Sequence, residues 1–313
     1  MAMFVSSGER GSELALQLKS SGGAGVVDHH GCFVWYELLT TDIAAAKAFY
    51  GSVVGWGEQD ASTPEFAYTL FTAAHAPVGG LMELPQDGLK MGATPRWVGY
   101  VAVDDANQTA DRIRHLGGAV YVPPTDSNIG RISVVADPQT ATLALVEGLK
   151  AGQQHSAELS APGQVGWHEL LAADWTTAFA FYREVFGWQQ ATPEVGLMDS
   201  YQLFSAGGQT IGGIFTKLPR APFPFWLYYF NIGDIDVAAE RVKTGGGRLV
   251  QGPVELPGGN WIARCIDPQG AMFALQGTRS LEAARQAPEA ELTWAAKWGG
   301  ISSRGKIVAK SRR

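Results

Sequence analysis

The sequence predicts an α+β fold built from four tandem βαβββ modules, two to a domain. Three observations carry this. First, FVWYELLTTDIAAAKAFYGSVVGW at 33–56 returns as VGWHELLAADWTTAFAFYREVFGW at 165–188. Trp35, Glu37, Leu38, Leu39, Asp42, Phe49, Tyr50, Gly55 and Trp56 recur as Trp167, Glu169, Leu170, Leu171, Asp174, Phe181, Tyr182, Gly187 and Trp188. Second, a strand-like run leads into an Asp, a short helical stretch and a Gly four times along the chain. Third, each helical stretch is followed by short apolar runs broken by Gly, Pro, Asn or Asp, the pattern of hairpins.

The elements follow in order. Helices are expected to start near Asp42, Asp105, Asp174 and Asp234, because an Asp carboxylate accepts from the orphan amides of a first turn. Gly55, Gly117, Gly187 and Gly245 stand where a left-handed C-cap is wanted. Between these limits Ala46, Tyr50 and Val53, and again Ala106, Ala110 and Ile113, fall on one helical face. Tyr68, Leu70, Phe71, Gly79 and Gly80 are answered by Tyr201, Leu203, Phe204, Gly212 and Gly213, and the turn Asp137-Pro138-Gln139 by Asp267-Pro268-Gln269. The expected organisation is an N-terminal arm at 1–27, a first domain at 28–148, a linker at 149–162 and a second domain at 163–277. A C-terminal extension with a basic tail occupies 278–313.

Composition narrows the function. Of 313 residues, 24 are Lys or Arg and 30 Asp or Glu, a net charge of −6, so no general basic footprint for nucleic acid exists. Cys32 and Cys265 offer no disulfide framework, redox pair or zinc-ribbon spacing, which points to a reducing, cytoplasmic setting. Neither a signal peptide nor a membrane span is expected. GxSxG, GxxxxGK[ST] and GxGxxG patterns are absent.

Four βαβββ modules with the pattern W-x-E-L-x-x-x-D, then F-Y and G-W, resemble the vicinal oxygen chelate superfamily of glyoxalases, bleomycin-resistance proteins and extradiol dioxygenases. More narrowly they resemble its two-domain branch, which includes a mycobacterial culture-filtrate antigen and hydroxylase-like proteins of anthracycline pathways. The resemblance implies that paired modules form a cup that holds a ligand. Its enzymes place His, Gln or Glu on the first strand of each module and a Glu on the last, around a divalent ion. Here the corresponding positions carry Trp35 and Trp167, fall near Val98 and Leu227, and end on Ala144 and Ala274. None of these side chains holds a hard cation, so neither a metal nor another cofactor is expected.

On a strand, Trp35 and Glu37 share a face, as do Trp167 and Glu169. In the family's register that face lines the cup. A carboxyl beside an indole there is desolvated, its pKa rises, and Glu37 and Glu169 become candidate catalytic acids or bases, or ligand-orienting groups. The alternative is that each Glu merely ties its strand through amides or an Arg. Trp35 and Trp167, with Tyr100 and Tyr229 on facing strands, are candidate ligand-binding residues for a flat molecule, against a plain core role. His168-Glu169-Leu170-Leu171-Ala172 lacks the second His of a zinc protease motif and alternates as a strand, so that reading is discarded.

The leading expectation is a protein that binds a small aromatic or hydrophobic molecule in a metal-free cup, for sequestration or as a pathway accessory. Its partners exclude nucleic acid and membrane, and it works as a monomer or homodimer. The alternatives are an enzyme of the same superfamily, either metal-free with the cup Glu residues or metal-dependent, and a scaffold whose cups are closed by side chains.

Overall fold

The computed structural model describes residues 29–64, 66–90, 92–149, 160–192, 201–219 and 221–280, so the N-terminal arm, most of the linker and nearly all of the C-terminal extension lie outside the described residues. The first half runs β1 (Phe33–Thr40), α1 (Ile43–Val53), β2 (Gly57–Asp60), β3 (Thr69–Ala73), β4 (Ala76–Glu83), a short α2 (Gln86–Lys90), β5 (Arg96–Ala102), α3 (Ala106–His115), β6 (Ala119–Asp126), β7 (Arg131–Ala136) and β8 (Thr142–Glu147). The second half repeats this as β9 (Val165–Ala172), α4 (Trp175–Phe186), β10 (Gln189–Ala191), β11 (Tyr201–Ala206), β12 (Gln209–Thr216), β13 (Phe225–Asp234), α5 (Ile235–Thr244), β14 (Arg248–Glu255), β15 (Trp261–Ile266) and β16 (Met272–Thr278). The βαβββ unit therefore occurs four times. The helix α2 between two modules was not expected.

Each half forms one eight-stranded mixed sheet, ordered β2-β3-β4-β1-β5-β8-β7-β6 and β10-β11-β12-β9-β13-β16-β15-β14. Within a module the first and last strands run parallel, and the two modules join through the antiparallel pairs β1–β5 and β9–β13. The register makes the modules of one domain symmetry mates. Glu37 lies opposite Val98 and Gly80, while Tyr100 lies opposite Trp35 and Ala144. Trp35 thus matches Val98, Glu37 matches Tyr100, and Gly80 matches Ala144.

Helices start as the sequence requires, with Asp42, Asp105, Asp174 and Asp234 each accepting from first-turn amides. Their ends differ in one place. Gly55, Gly117 and Gly187 have positive φ, but after α5 Gly245 has φ −78° and Gly246, at 85°, takes the left-handed position. The backbone turns one residue later there, which a pattern of adjacent glycines at 245–247 does not distinguish.

One face of each sheet packs into a shared interdomain core that includes Tyr36, Leu38, Tyr50, Trp56, Tyr182, Trp188, Trp226 and Tyr228. The recurring Phe-Tyr and Gly-Trp pairs are the fasteners of this core. Tyr50 Oη donates to Asp267 Oδ2 at 3.1 Å and Tyr182 Oη to Asp137 Oδ2 at 3.0 Å, so each helix reaches the Asp-Pro turn of the other domain. Trp97 Nε1 and Trp226 Nε1 donate to these same two hydroxyls. Trp56 Nε1 donates to the Gly163 carbonyl at 2.8 Å and Trp188 Nε1 to the Gly31 carbonyl at 2.7 Å. These two indoles stack on the helix residues Tyr50 and Tyr182 and cross the domain boundary. At the centre, His168 Nδ1 lies 2.7 Å from the Ile211 carbonyl, which fixes the proton there and leaves Nε2 to accept from Tyr36 Oη at 2.6 Å. His168 is thus an interdomain residue on a strand.

Candidate functional site

The opposite, concave face of each sheet carries the candidate residues. Strand alternation sends Tyr36 and Leu38 to the interdomain core and Trp35 and Glu37 to the cup. In the first cup Tyr68, just before β3, reaches across Gly80. Its Oη donates to Glu37 Oε1 at 2.5 Å and accepts from Trp35 Nε1 at 3.1 Å. Tyr100 Oη donates to Glu37 Oε2. Both carboxylate oxygens are therefore held by hydroxyls, in a relay Trp35–Tyr68–Glu37–Tyr100. Glycine at 80 is a steric requirement, since a Cβ there would lie 2.0 Å from Tyr68 Oη and 3.0 Å from Glu37 Cγ.

The second cup repeats the relay and adds a cation. Trp167 Nε1 donates to Tyr201 Oη at 3.0 Å, Tyr201 Oη to Glu169 Oε1 at 3.0 Å, and Tyr229 Oη to Glu169 Oε2 at 2.7 Å. Arg264 Nη2 donates to Glu169 Oε2 at 2.5 Å and Arg264 Nε to Tyr229 Oη at 3.2 Å. The guanidinium carbon stands 5.5 Å from the centroid of Phe215. A Cβ at Gly213 would lie 2.2 Å from Tyr201 Cε1, the counterpart of the Gly80 contact.

The electrostatics of the two cups diverge at this point. Burial raises the pKa of Glu37, with the Tyr100, Tyr68 and Trp35 donors pulling the other way without reversing it. In the second cup burial works against the charge on Arg264, but the Glu169 carboxylate and Tyr229 outweigh it and hold the guanidinium above its ordinary value. Arg264 lies opposite Ala274 on β16, and the residue in that register of the first domain, opposite Ala144, is Val134. A carboxyl with only neutral donors thus faces one cup, and an ion pair faces the other.

All six sequence candidates lie on these two floors. The structure brings Trp35, Glu37 and Tyr100 together in one cup and Trp167, Glu169 and Tyr229 in the other. Three further residues complete the sites: Tyr68, Tyr201 and Arg264. The tyrosines were visible as a repeated pair in the sequence, and a search for repeated hydroxyl donors would have found them. Arg264 breaks the repeat, and only the register of β15 against β16 reveals it.

The divalent ion of the family's enzymes does not fit this donor set. By the register above, the four symmetric positions of the first cup carry Trp35, Gly80, Val98 and Ala144, and those of the second carry Trp167, Gly213, Leu227 and Ala274. None supplies an oxygen, nitrogen or sulfur ligand of the kind such ions need. The nearby carboxylates already accept from tyrosines, and in the second cup also from a guanidinium. Among the described residues no three His, Cys, Asp or Glu side chains group closely enough to hold a metal ion.

Paired βαβββ modules curving a mixed sheet around a buried polar floor, twice in one chain, define a tandem cup-forming protein. The chain belongs to the Glyoxalase/Bleomycin resistance protein/Dioxygenase superfamily, whose family model matches residues 32–145 and 164–275. It is 33% identical over 246 residues to the "Putative glyoxylase CFP32" of Mycobacterium tuberculosis (strain CDC 1551 / Oshkosh), covering 77% of this chain and 92% of that one. It is 30% identical over 263 residues to the "Anthracycline biosynthesis protein DauV" of Streptomyces sp. (strain C5), covering 78% and 92%. Among solved structures, the Mn(II)-bound glyoxalase from Novosphingobium aromaticivorans superposes with a TM-score of 0.55 at 17% identity, over 80% of this chain and 83% of that one. That likeness is one of fold. Among the described residues no helix is long and apolar enough to cross a membrane.

Proposed function

We propose that this chain binds a small aromatic or hydrophobic molecule against a Trp–Tyr–Glu–Tyr floor without a metal ion, as a sequestering or pathway-accessory protein. One observation carries the reading. The positions that hold ligands to an ion in the family's enzymes are taken by an indole, a glycine and aliphatic side chains, while the cup is furnished with aromatic rings tied to a carboxylate. Such a surface offers a flat apolar wall and a few fixed hydroxyls, the usual composition of a small-molecule site. A relative named for anthracycline biosynthesis is compatible with a flat, polycyclic ligand. The internal duplication pairs the domains within one chain, so a monomer suffices and a homodimer is not required. A chain whose two cysteines, Cys32 and Cys265, offer no disulfide framework suits a cytoplasmic protein.

Tryptophan quenching of the full chain by alizarin, a flat hydroxylated aromatic, tests this. Saturable binding with no product is the expected result, and the absence of saturable binding by alizarin and by smaller aromatics contradicts the reading.

A second reading, metal-free catalysis, is favoured by one feature: Glu37 is buried, its pKa is raised, and two hydroxyls bracket it. A carboxyl in that state keeps its proton to higher pH than a free one and can act as a general acid. Turnover of a bound substrate that disappears in Glu37→Gln would establish it, and turnover unaffected by that change would exclude Glu37 as the acid.

A further inference from the structure

Strand register sets four repeat-related residues in one layer of the interdomain core. On β1 and β5 Tyr36 lies opposite Gly99, and on β9 and β13 His168 lies opposite Tyr228. In the repeat, position 36 answers to 168, between the matched pairs Trp35/Trp167 and Glu37/Glu169, and position 99 answers to 228, between Trp97/Trp226 and Tyr100/Tyr229. Each residue of this layer touches its own repeat mate across the domain boundary. Tyr36 Oη donates to His168 Nε2 at 2.6 Å, and the Gly99 N–H donates to Tyr228 Oη at 2.8 Å. Residues that meet their own mates stand beside the pseudo-two-fold axis relating the domains, where a symmetric pair would set like against like. Here both contacts join unlike residues. Tyr228 occupies space that only glycine leaves, since a Cβ at position 99 would lie 2.7 Å from Tyr228 Cε1. A second buried row carries the same inversion. Phe33 on β1 lies opposite Val101 on β5, while Val165 on β9 lies opposite Phe230 on β13, so large and small have changed strands between the domains.

From this layer we infer that the inner face of each domain accepts the other domain and rejects a copy of itself. Two first domains would set Gly99 against Gly99 and leave empty the volume that Tyr228 fills. Two second domains would bring Tyr228 onto Tyr228 in a space with no room for a methyl group. They would also bring two His168 rings together. Nδ1 of each is committed to the Ile211 carbonyl, so two Nε2 acceptors would meet with no proton between them. Unlike pairing gives every one of these groups a complement, and like pairing leaves a void or a clash, so the competing partners are rejected as well as the right one favoured. The surface that a first domain docks is therefore that of a second domain, from the same chain in a closed monomer or from another copy in an exchanged dimer. The pairing does not depend on what either cup binds.

The test exchanges the layer between the domains of the full chain and follows thermal unfolding. Tyr36→His with Gly99→Tyr gives both domains the second domain's pair, and His168→Tyr with Tyr228→Gly gives both the first domain's pair. All four changes together restore unlike pairing with the roles reversed. The expected result is that each two-position variant melts about 10 °C or more below the parent, or loses its cooperative melt, and that the four-position variant recovers at least about half of the larger loss. Recovery is expected even where a two-position variant fails to fold, since the exchange returns one tyrosine over one glycine and one hydroxyl against one imidazole. A four-position variant no more stable than the weaker two-position one, or a Tyr36→His/Gly99→Tyr chain that melts with the parent, overturns the inference.

Discussion

Tyr50 of the first domain donates to Asp267 of the second at 3.1 Å while accepting from Trp97, and Tyr182 does the same to Asp137 with Trp226. Removing either hydroxyl strands an indole N–H and a buried carboxyl together. Tyr50→Phe and Tyr182→Phe are each expected to lower stability by about 1–3 kcal/mol. Because the two contacts share no partner, the double variant should show near-additive losses in urea denaturation. A change below the error of the measurement in both single variants would refute their role as fasteners.

The buried carboxyls give a pH dependence of definite sign. Burial raises the pKa values of Glu37, Asp137 and Asp267. A carboxyl whose folded pKa is raised binds its proton more tightly in the native state, so its stabilising contribution is full below the unfolded value and lost as pH rises through the folded one. Stability should therefore decline as pH climbs above roughly 4, the ordinary carboxyl range. Glu37→Gln removes one of the three contributions and should flatten that decline. Equilibrium unfolding across this range decides it, and a Glu37→Gln slope steeper than that of the parent would contradict a raised Glu37 pKa.

Arg264 and Glu169 form an ion pair almost fully withdrawn from water. Losing one partner of such a pair leaves an uncompensated charge, and Arg264→Met is expected to cost about 3–5 kcal/mol. Adding Glu169→Gln to that variant should restore much of the loss, since a neutral amide still accepts from Tyr201 and Tyr229. A double variant no more stable than Arg264→Met would show that the guanidinium acts through packing alone.

Gly80 and Gly213 leave room for the tyrosines that cross above them. A methyl group at either place meets the ring or hydroxyl at about 2 Å, so Gly80→Ala and Gly213→Ala must displace Tyr68 and Tyr201. Overpacking of this kind typically costs about 1–3 kcal/mol. The displaced tyrosine also abandons its tryptophan, so the emission of Trp35 or Trp167 should shift. Unchanged melting temperature and emission in both variants would contradict the relay.

Much of this architecture was legible in the sequence because duplication converts a weak local signal into a repeated one. Asp at four helix starts, the Phe-Tyr and Gly-Trp pairs, and the Trp-x-Glu alternation on two strands each occur in a context that only the βαβββ unit explains. Repetition also bounds what can be read. The hydrogen bonds from Tyr50 to Asp267 and from Tyr182 to Asp137 join residues 217 and 45 positions apart, and no local pattern announces that pairing. Arg264, Gly99 and His168 depart from the repeat, so a reading built on likeness between halves passes over them. Their importance appears only once the fold puts them beside Glu169, Tyr228 and Tyr36. The shift of the left-handed cap from Gly245 to Gly246 is of another kind, because adjacent glycines tolerate either position equally.

In the proposed function the cup takes its ligand without a divalent ion. The most direct test measures alizarin binding to protein dialysed against a strong chelator, then to the same protein with Mn(II), Zn(II) or Ni(II) restored. Equal, saturable affinity in all samples, with no thermal stabilisation by the ions alone, is the predicted result. A true metal site occupied at 100 times its dissociation constant would add about 2.7 kcal/mol of stability, well within reach of a thermal shift. Stoichiometric metal uptake with that stabilisation, or ligand binding that requires the ion, would contradict the account.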